Sequence, residues 1–404
     1  MTAATTTHEI KASDLHGAAA PANSPSRNAG LDSLRGIAAL SVFFFHAWLY
    51  NRAAGEPGFL GQAANQARVG VICFFVLSGF LLYRPFIRAA RRQTGLLDLG
   101  AYAARRATRI FPAYWLCLLI VYPLMRIAEG YPGVRLPAAD DVWLFGVMGQ
   151  NFSSDTLLKL NSVTWTLPIE LAFYASLPLL GWLAYRVAGG RFGVQVLFVL
   201  GLAAAGLAWK AWNIESVLGP IHGKALPTYL PFFAAGMLTA LGAEWLRSRD
   251  REQLGRATTA TLVIAGVALV VGAGVWHANG VATSSSLRLA ITHELPYAIG
   301  YALLTLAVAM GVGHAVDWAH TRPLAYLGAI SYGVYLWQVP VILFLGHLGV
   351  GGAGEAPVVV LVALPVTLAC AAASWHAVEQ PLLKRVQRRT ARAPGRPVAA
   401  AVTS

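Results

Sequence analysis

Charge is what this sequence has least of. Asp, Glu, Lys and Arg make up 12% of the chain, about half the share of a soluble globular protein, roughly 25%. Acidic residues are the scarcer sign, 18 against 31 basic. Cysteine is rarer still. Cys73, Cys117 and Cys370 all fall inside apolar runs, at spacings that form neither a zinc motif nor a disulfide framework, so no metal site is expected. The first thirty residues lack a basic n-region and an apolar h-region, which excludes a cleaved secretory leader. No internal repeat stands out. What fills the chain instead is apolar: 56% of its 404 residues are hydrophobic, and the mean hydropathy is +0.56. Most of the chain therefore belongs in lipid. In a soluble protein a net charge of +13 would invite a nucleic-acid partner. Here the basic residues lie in short stretches between apolar runs, where topology explains them better.

Runs of roughly 17–25 residues are long enough to cross a bilayer, and ten occur: about 32–50, 69–88, 110–127, 165–186, 192–209, 228–246, 258–276, 296–316, 324–346 and 357–379. The run at 142–149 is too brief to span. The expected fold is an all-α polytopic membrane protein with about ten transmembrane helices. Placing both termini in the cytoplasm puts 23 of the 31 basic residues on the inner side, the bias that sets orientation. The expected organisation is a disordered cytoplasmic tail at 1–30, a transmembrane domain at 31–385 and a basic cytoplasmic tail at 386–404. The first span is expected to act as an uncleaved signal anchor.

Ionisable side chains within such runs mark function by default, because lipid offers them no cheap place. Arg35 and His46 lie in one run, LDSLRGIAALSVFFFHAWLY. Eleven steps of about 100° return residue 46 to nearly the face of residue 35, roughly 16 Å further along. Arg105, Arg106 and Arg109 stand at the inner entrance of the third span. Arg106 and Arg109 share a face, and guanidinium groups suit bidentate phosphate recognition. Plain topogenic charge is the alternative to a site for a phosphorylated carrier such as a nucleotide or coenzyme A. Glu170, in WTLPIELAFY, enters the fourth span from outside to about the depth of His46. A buried carboxylate needs a partner; His46 is the natural one, an arginine or a water cavity the alternative. Ser78-Gly79 reads as small-residue packing, and Ser78 lacks the setting of an elbow serine. Tyr332, Tyr335 and Gln338 on the ninth span either line a cavity or anchor at the interface. Glu379 reads as a structural terminus with an arginine partner. His222, His277, His293 and His314 show no metal spacing. Trp143, Gln150, Asn151 and Phe152, in the loop at 128–164, together with Trp165, are candidates for contact with a sugar.

These motifs, in order, resemble acyltransferase family 3, the integral-membrane O-acyltransferases of bacteria. The matching stretches are Arg35 to His46, FFVLSGF at 74–80, RRATRIFP at 105–112, GQNF at 149–152, WTLPIELAFY at 165–174, ISYGVYLWQVP at 330–340 and VEQP at 378–381. The resemblance runs from about residue 31 to 385. It implies a ten-span domain that moves an acyl group, acetyl foremost, from cytoplasmic acyl-CoA to a hydroxyl of a carbohydrate or secondary-metabolite acceptor. It implies no permanently bound cofactor, an essential histidine at His46, and donor binding by Arg35, Arg106 and Arg109. Many members carry histidine where Gln338 stands, so general-base chemistry at that position is lost here. The chain is expected to be a stand-alone form without a fused SGNH domain. On this reading His46, oriented by Glu170, takes the acceptor proton, and Tyr335 or a backbone amide steadies the oxyanion. The rival class is a transporter or flippase for a lipid-linked or acylated sugar.

Overall fold

The structure, a computed structural model, describes residues 29–51, 59–92, 98–188, 191–215, 219–278 and 294–392. Most of the expected N-terminal tail and the end of the C-terminal one lie outside the described residues. Eleven helices of more than ten residues are numbered here in chain order: α1 (Ala29–Asn51), α2 (Gly70–Arg92), α3 (Leu99–Ile127), α4 (Thr166–Ala188), α5 (Phe192–Glu215), α6 (Leu226–Arg247), α7 (Arg256–Ala278), α8 (Leu295–Met310), α9 (Arg322–His347), α10 (Ala356–Ser374) and α11 (Gln380–Arg392). Among the described residues nine helices are long and apolar enough to cross a membrane, or ten if a bent pair counts as one span. The chain is an all-α multi-pass membrane protein.

Three elements differ from the hydropathy reading. Helix α3 begins eleven residues earlier than the apolar run, because Asp98 caps it: its Oδ1 accepts the Ala101 amide at 2.9 Å. Arg105, Arg106 and Arg109 are thus built into the helix rather than standing at its mouth. The eighth span is shorter than expected. Helix α8 ends at Met310, and the chain turns by 103° into the segment His314–His320. The tenth span ends in a π-helical turn, Trp375–Glu379, before α11 continues to Arg392. The first part of the expected basic tail is therefore helical.

Side-chain and backbone bonds pair the helix ends into two faces. Ser33 donates to the Ala319 carbonyl at 2.6 Å, and Glu244 near the end of α6 takes Arg84 and Arg88 from the end of α2. These ends form the proximal face, where α1 begins. At the distal face, where α1 ends, the Gly354 amide donates to the Asn51 carbonyl at 2.8 Å, and Lys210 pairs with Glu294. The Arg109–Glu379 contact sets the start of α11 beside the early turns of α3, on the proximal face.

The packing depends on glycine where helices cross closest. A Cβ on Gly328 of α9 would lie 1.8 Å from the Asp32 carbonyl oxygen of α1, and one on Gly236 of α6 would lie 1.9 Å from the Val76 oxygen of α2. Small residues permit such approach, which dispersion and backbone contact stabilise in lipid. Gly79 meets the same α2–α6 crossing, 2.2 Å from the Phe233 oxygen. Helix α9 is the core of the bundle: every residue from Gly328 to Leu343 is buried. A helix apolar all round is one enclosed by others, and Tyr332, Tyr335 and Gln338 are accordingly inside rather than at an interface.

Candidate functional site

His46 lies near the distal end of α1 on the wall of a cavity of about 580 Å³, within the size range of ligand sites, roughly 300–1,000 Å³. Its Nδ1 is 2.9 Å from the Val42 carbonyl oxygen, one helical turn back. A carbonyl only accepts, so Nδ1 carries the proton, and in the neutral ring Nε2 keeps its lone pair. The ring stacks on Tyr50, centroids 6.2 Å apart, whose hydroxyl meets Ser162 Oγ at 3.0 Å. Gln338 is its polar side-chain neighbour from α9. The Gln338 amide donates to the Tyr335 carbonyl at 3.1 Å, which leaves its buried Oε1 for the imidazole.

Glu170 does not reach the imidazole. Its Oε1 accepts from Ser78 Oγ at 2.8 Å and from the Tyr174 hydroxyl at 2.6 Å. The expected His46–Glu170 couple is replaced by a partner one turn along α4 and another from α2. Glu170 instead lines a small chamber of about 40 Å³ with Arg35, Thr166, Tyr332 and Tyr335. Arg35 makes no ion pair with any described residue. Arg35 and Arg106 both lie within electrostatic range of Tyr174; the Arg106 guanidinium sits 5.9 Å from that ring's centre, and its buried Nε has no hydrogen-bond partner among the described residues. Val71, Phe75 and Tyr335 line both the small chamber and the His46 cavity. The two therefore adjoin, with guanidinium groups on the proximal side and the imidazole on the distal side.

The other expected residues divide. Arg109 leaves the cluster: it faces Glu379 at 3.8 Å and lies 5.6 Å from the Trp375 ring centre, which ties α3 to the π-helical turn. The arginine partner expected for Glu379 is thus found. Ser78 serves Glu170. Tyr335 is not free to steady an oxyanion, because its hydroxyl donates to the Val163 carbonyl at 2.9 Å and meets Thr166 Oγ1 at 2.9 Å. Asn151 is a pin rather than a sugar contact: buried, it donates to the carbonyls of Trp165 at 2.7 Å and Lys224 at 3.1 Å. Trp165 does line the large cavity, with the Lys224 ammonium 3.7 Å from its ring centre.

Three cavity residues escape a hydropathy reading. Arg68, Arg135 and Lys224 line the same cavity as His46, yet in the sequence they count merely as outer charges. The available signal is that all three oppose the basic bias of the other face.

A many-helix bundle with a titratable ring in an internal cavity, and cations in an adjoining chamber, defines a multi-pass membrane protein built for chemistry or passage within lipid. The family model described as an acyltransferase domain matches residues 28–376, and the chain belongs to that family, acyltransferase family 3. Similar proteins include the O-acetyltransferase OatA of Staphylococcus aureus (strain NCTC 8325 / PS 47), 24% identical over 90% of this chain. Nodulation protein 10 of Rhizobium leguminosarum bv. viciae is 27% identical, covering 87% of this chain and 92% of that protein. BcsY of Komagataeibacter xylinus, named for a membrane-bound transacylase, is 26% identical over 80% of this chain and 75% of its own. The chain spans 58% of the length of OatA. No solved structure matches.

Proposed function

We propose that this protein is a cell-membrane O-acyltransferase that passes an acyl group, acetyl foremost, from cytoplasmic acyl-CoA to a hydroxyl of a carbohydrate or glycosylated acceptor. The observation that carries the reading is the acyltransferase family match over residues 28–376, joined to a histidine on the wall of an internal cavity. The proximal face is cytoplasmic, in keeping with the basic bias. Arg35 and Arg106 serve the donor's phosphates there, and the thioester reaches the His46 cavity past Val71, Phe75 and Tyr335.

His46 Nε2 takes the proton of the acceptor hydroxyl as its oxygen attacks the thioester carbonyl. The carbon–sulfur bond then breaks, and the imidazolium returns its proton to the departing thiolate. Gln338 Oε1, buried beside the imidazole, accepts from the Nε2 proton while the ring is charged. Glu170 acts at one remove. Bonded to Ser78 and Tyr174, it sets the charge of the donor chamber rather than the tautomer of His46.

The test is acetyl-CoA turnover by the purified protein in nanodiscs with a hydroxyl acceptor, read as release of free coenzyme A thiol and as labelled ester. Wild type is expected to yield both and His46→Ala neither, with unchanged helix content. An intact thioester in the wild-type protein, alongside movement of a labelled glycolipid across the bilayer, would overturn catalysis in favour of transport.

A further inference from the structure

The His46 cavity is positively charged in a way that the transfer reaction does not require. Arg68, Arg135 and Lys224 line it. Among the described residues neither the Arg68 nor the Arg135 guanidinium makes a hydrogen bond or an ion pair, and the Lys224 ammonium makes a long contact, 3.5 Å, with the Tyr229 hydroxyl, lies over the Trp165 ring and is within electrostatic range of Glu294. The carboxylate on this wall, Glu294, is already engaged by Lys210, whose ammonium in turn lies 5.2 Å from the Phe232 ring centre. Glu294, shared between Lys210 and Lys224, is one carboxylate against four cations, so among the described residues the chamber keeps an excess of positive charge. Arg68 and Lys224 are close enough to repel one another. Like charges gathered beside a low-dielectric wall cost stability unless an anion joins them, and such a wall focuses their field into the cavity. Their position adds a second argument. They come from three separate elements, the entry to α2, the loop after α3 and the entry to α6, and converge on the face that carries the fewer basic residues.

We infer that the acceptor of this enzyme is an anion: its reactive hydroxyl belongs to a molecule bearing a carboxylate or phosphate, which Arg68, Arg135 and Lys224 hold while Trp165 and Tyr229 pack against its ring. The inference rests on the acyltransferase reading above for the role of the cavity and assigns the substrate class to it. A uronic-acid residue and a phosphorylated sugar share the required chemistry. The cation–ring stack of Lys224 on Trp165 gives a sugar an apolar face to lie on, with charge at its rim.

The probes are three matched acceptors: p-nitrophenyl β-D-glucoside, the corresponding glucuronide and the glucoside 6-phosphate. Equilibrium binding to the full-length protein in nanodiscs is measured for each, without donor, and acetyl-CoA binding is measured separately. At least one anionic probe is expected to bind ten times or more tighter than the neutral glucoside, and which of the two does so separates carboxylate from phosphate. Arg68→Gln combined with Lys224→Gln is expected to erase that advantage and leave acetyl-CoA affinity within twofold. Arg135→Gln, in an exposed loop side chain, gives the same direction of change with little risk to folding. Equal or undetectable binding of all three probes overturns the inference. So does a loss of acetyl-CoA affinity in the variants with no change in probe binding, which would assign the cations to the donor's phosphates. Because binding is read without turnover, an anionic preference in a protein that leaves acetyl-CoA intact would reject the acyltransferase reading alone.

Discussion

At the scale of the residue, we assign the proton to His46 and the donor's charge to Arg35 and Arg106. A positioned general base contributes roughly 10²–10⁴-fold in rate, so His46→Gln is expected to lower kcat by at least a hundredfold with acyl-CoA KM little changed. Arg106→Ala is expected to do the reverse. Losing one charge-assisted phosphate contact, worth about 1.5–3 kcal/mol, raises acyl-CoA KM by about 10–100-fold; an unchanged KM removes Arg106 from the donor site. Arg35, His46 and Glu170 were legible because each interrupts an apolar run, and Arg106 because it stands with other arginines at the mouth of one. Their partners were less so. Glu170 was assigned to His46 by depth alone, although Tyr174 stands four residues further along the same helix, the spacing at which side chains meet. Its bond to Ser78 depends on the rotation of α2 against α4, which no single helix encodes.

At the scale of the element, the bundle is fixed by crossings at glycine and by one buried pair between a helix and a π-helical turn. Gly328→Ala puts a methyl group against the Asp32 carbonyl. Overpacking typically costs about 1–3 kcal/mol, and the thermal unfolding midpoint in detergent is expected to fall accordingly. Gly201→Ala in α5, where a Cβ meets nothing within 4 Å, serves as its control and should leave the midpoint unchanged or raise it. Arg109→Ala takes the cation from the buried Glu379 carboxylate and leaves it contacts such as the long one to Ser374 Oγ; breaking a buried pair costs at most about 3–5 kcal/mol. It should therefore lower stability, where Arg106→Ala lowers donor affinity; equal stability of the two variants contradicts the division. The spans themselves were readable from hydropathy to within a few residues at most ends. The start of α3 was not, because its first turns are made of alanine and arginine, good helix formers that hydropathy does not register, begun by the Asp98 cap.

At the scale of the whole molecule, alternating helices return the chain to the face where it started, and a cavity and a cation chamber meet inside the bundle. Orientation follows from charge rather than from the fold. A reporter active only outside the cell, inserted in the distal turn at 349–354, is expected to be active, and one fused after α11 inactive; the opposite pattern inverts the donor and acceptor sides. The distal cations show the limit of reading charge as topology. Arg68, Arg135 and Lys224 are scattered across some 150 residues of sequence, and only the folded bundle brings them to the cavity that holds His46.

The central claim is that this imidazole transfers an acyl group between two molecules that meet inside the membrane. The most direct measurement supplies acetyl-labelled acetyl-CoA to the proximal face of sealed vesicles carrying the protein and follows the label into base-labile ester on the acceptor. Wild type is expected to transfer label in proportion to the coenzyme A thiol released, and His46→Ala to transfer none. Label transfer by His46→Ala at the wild-type rate would contradict the account.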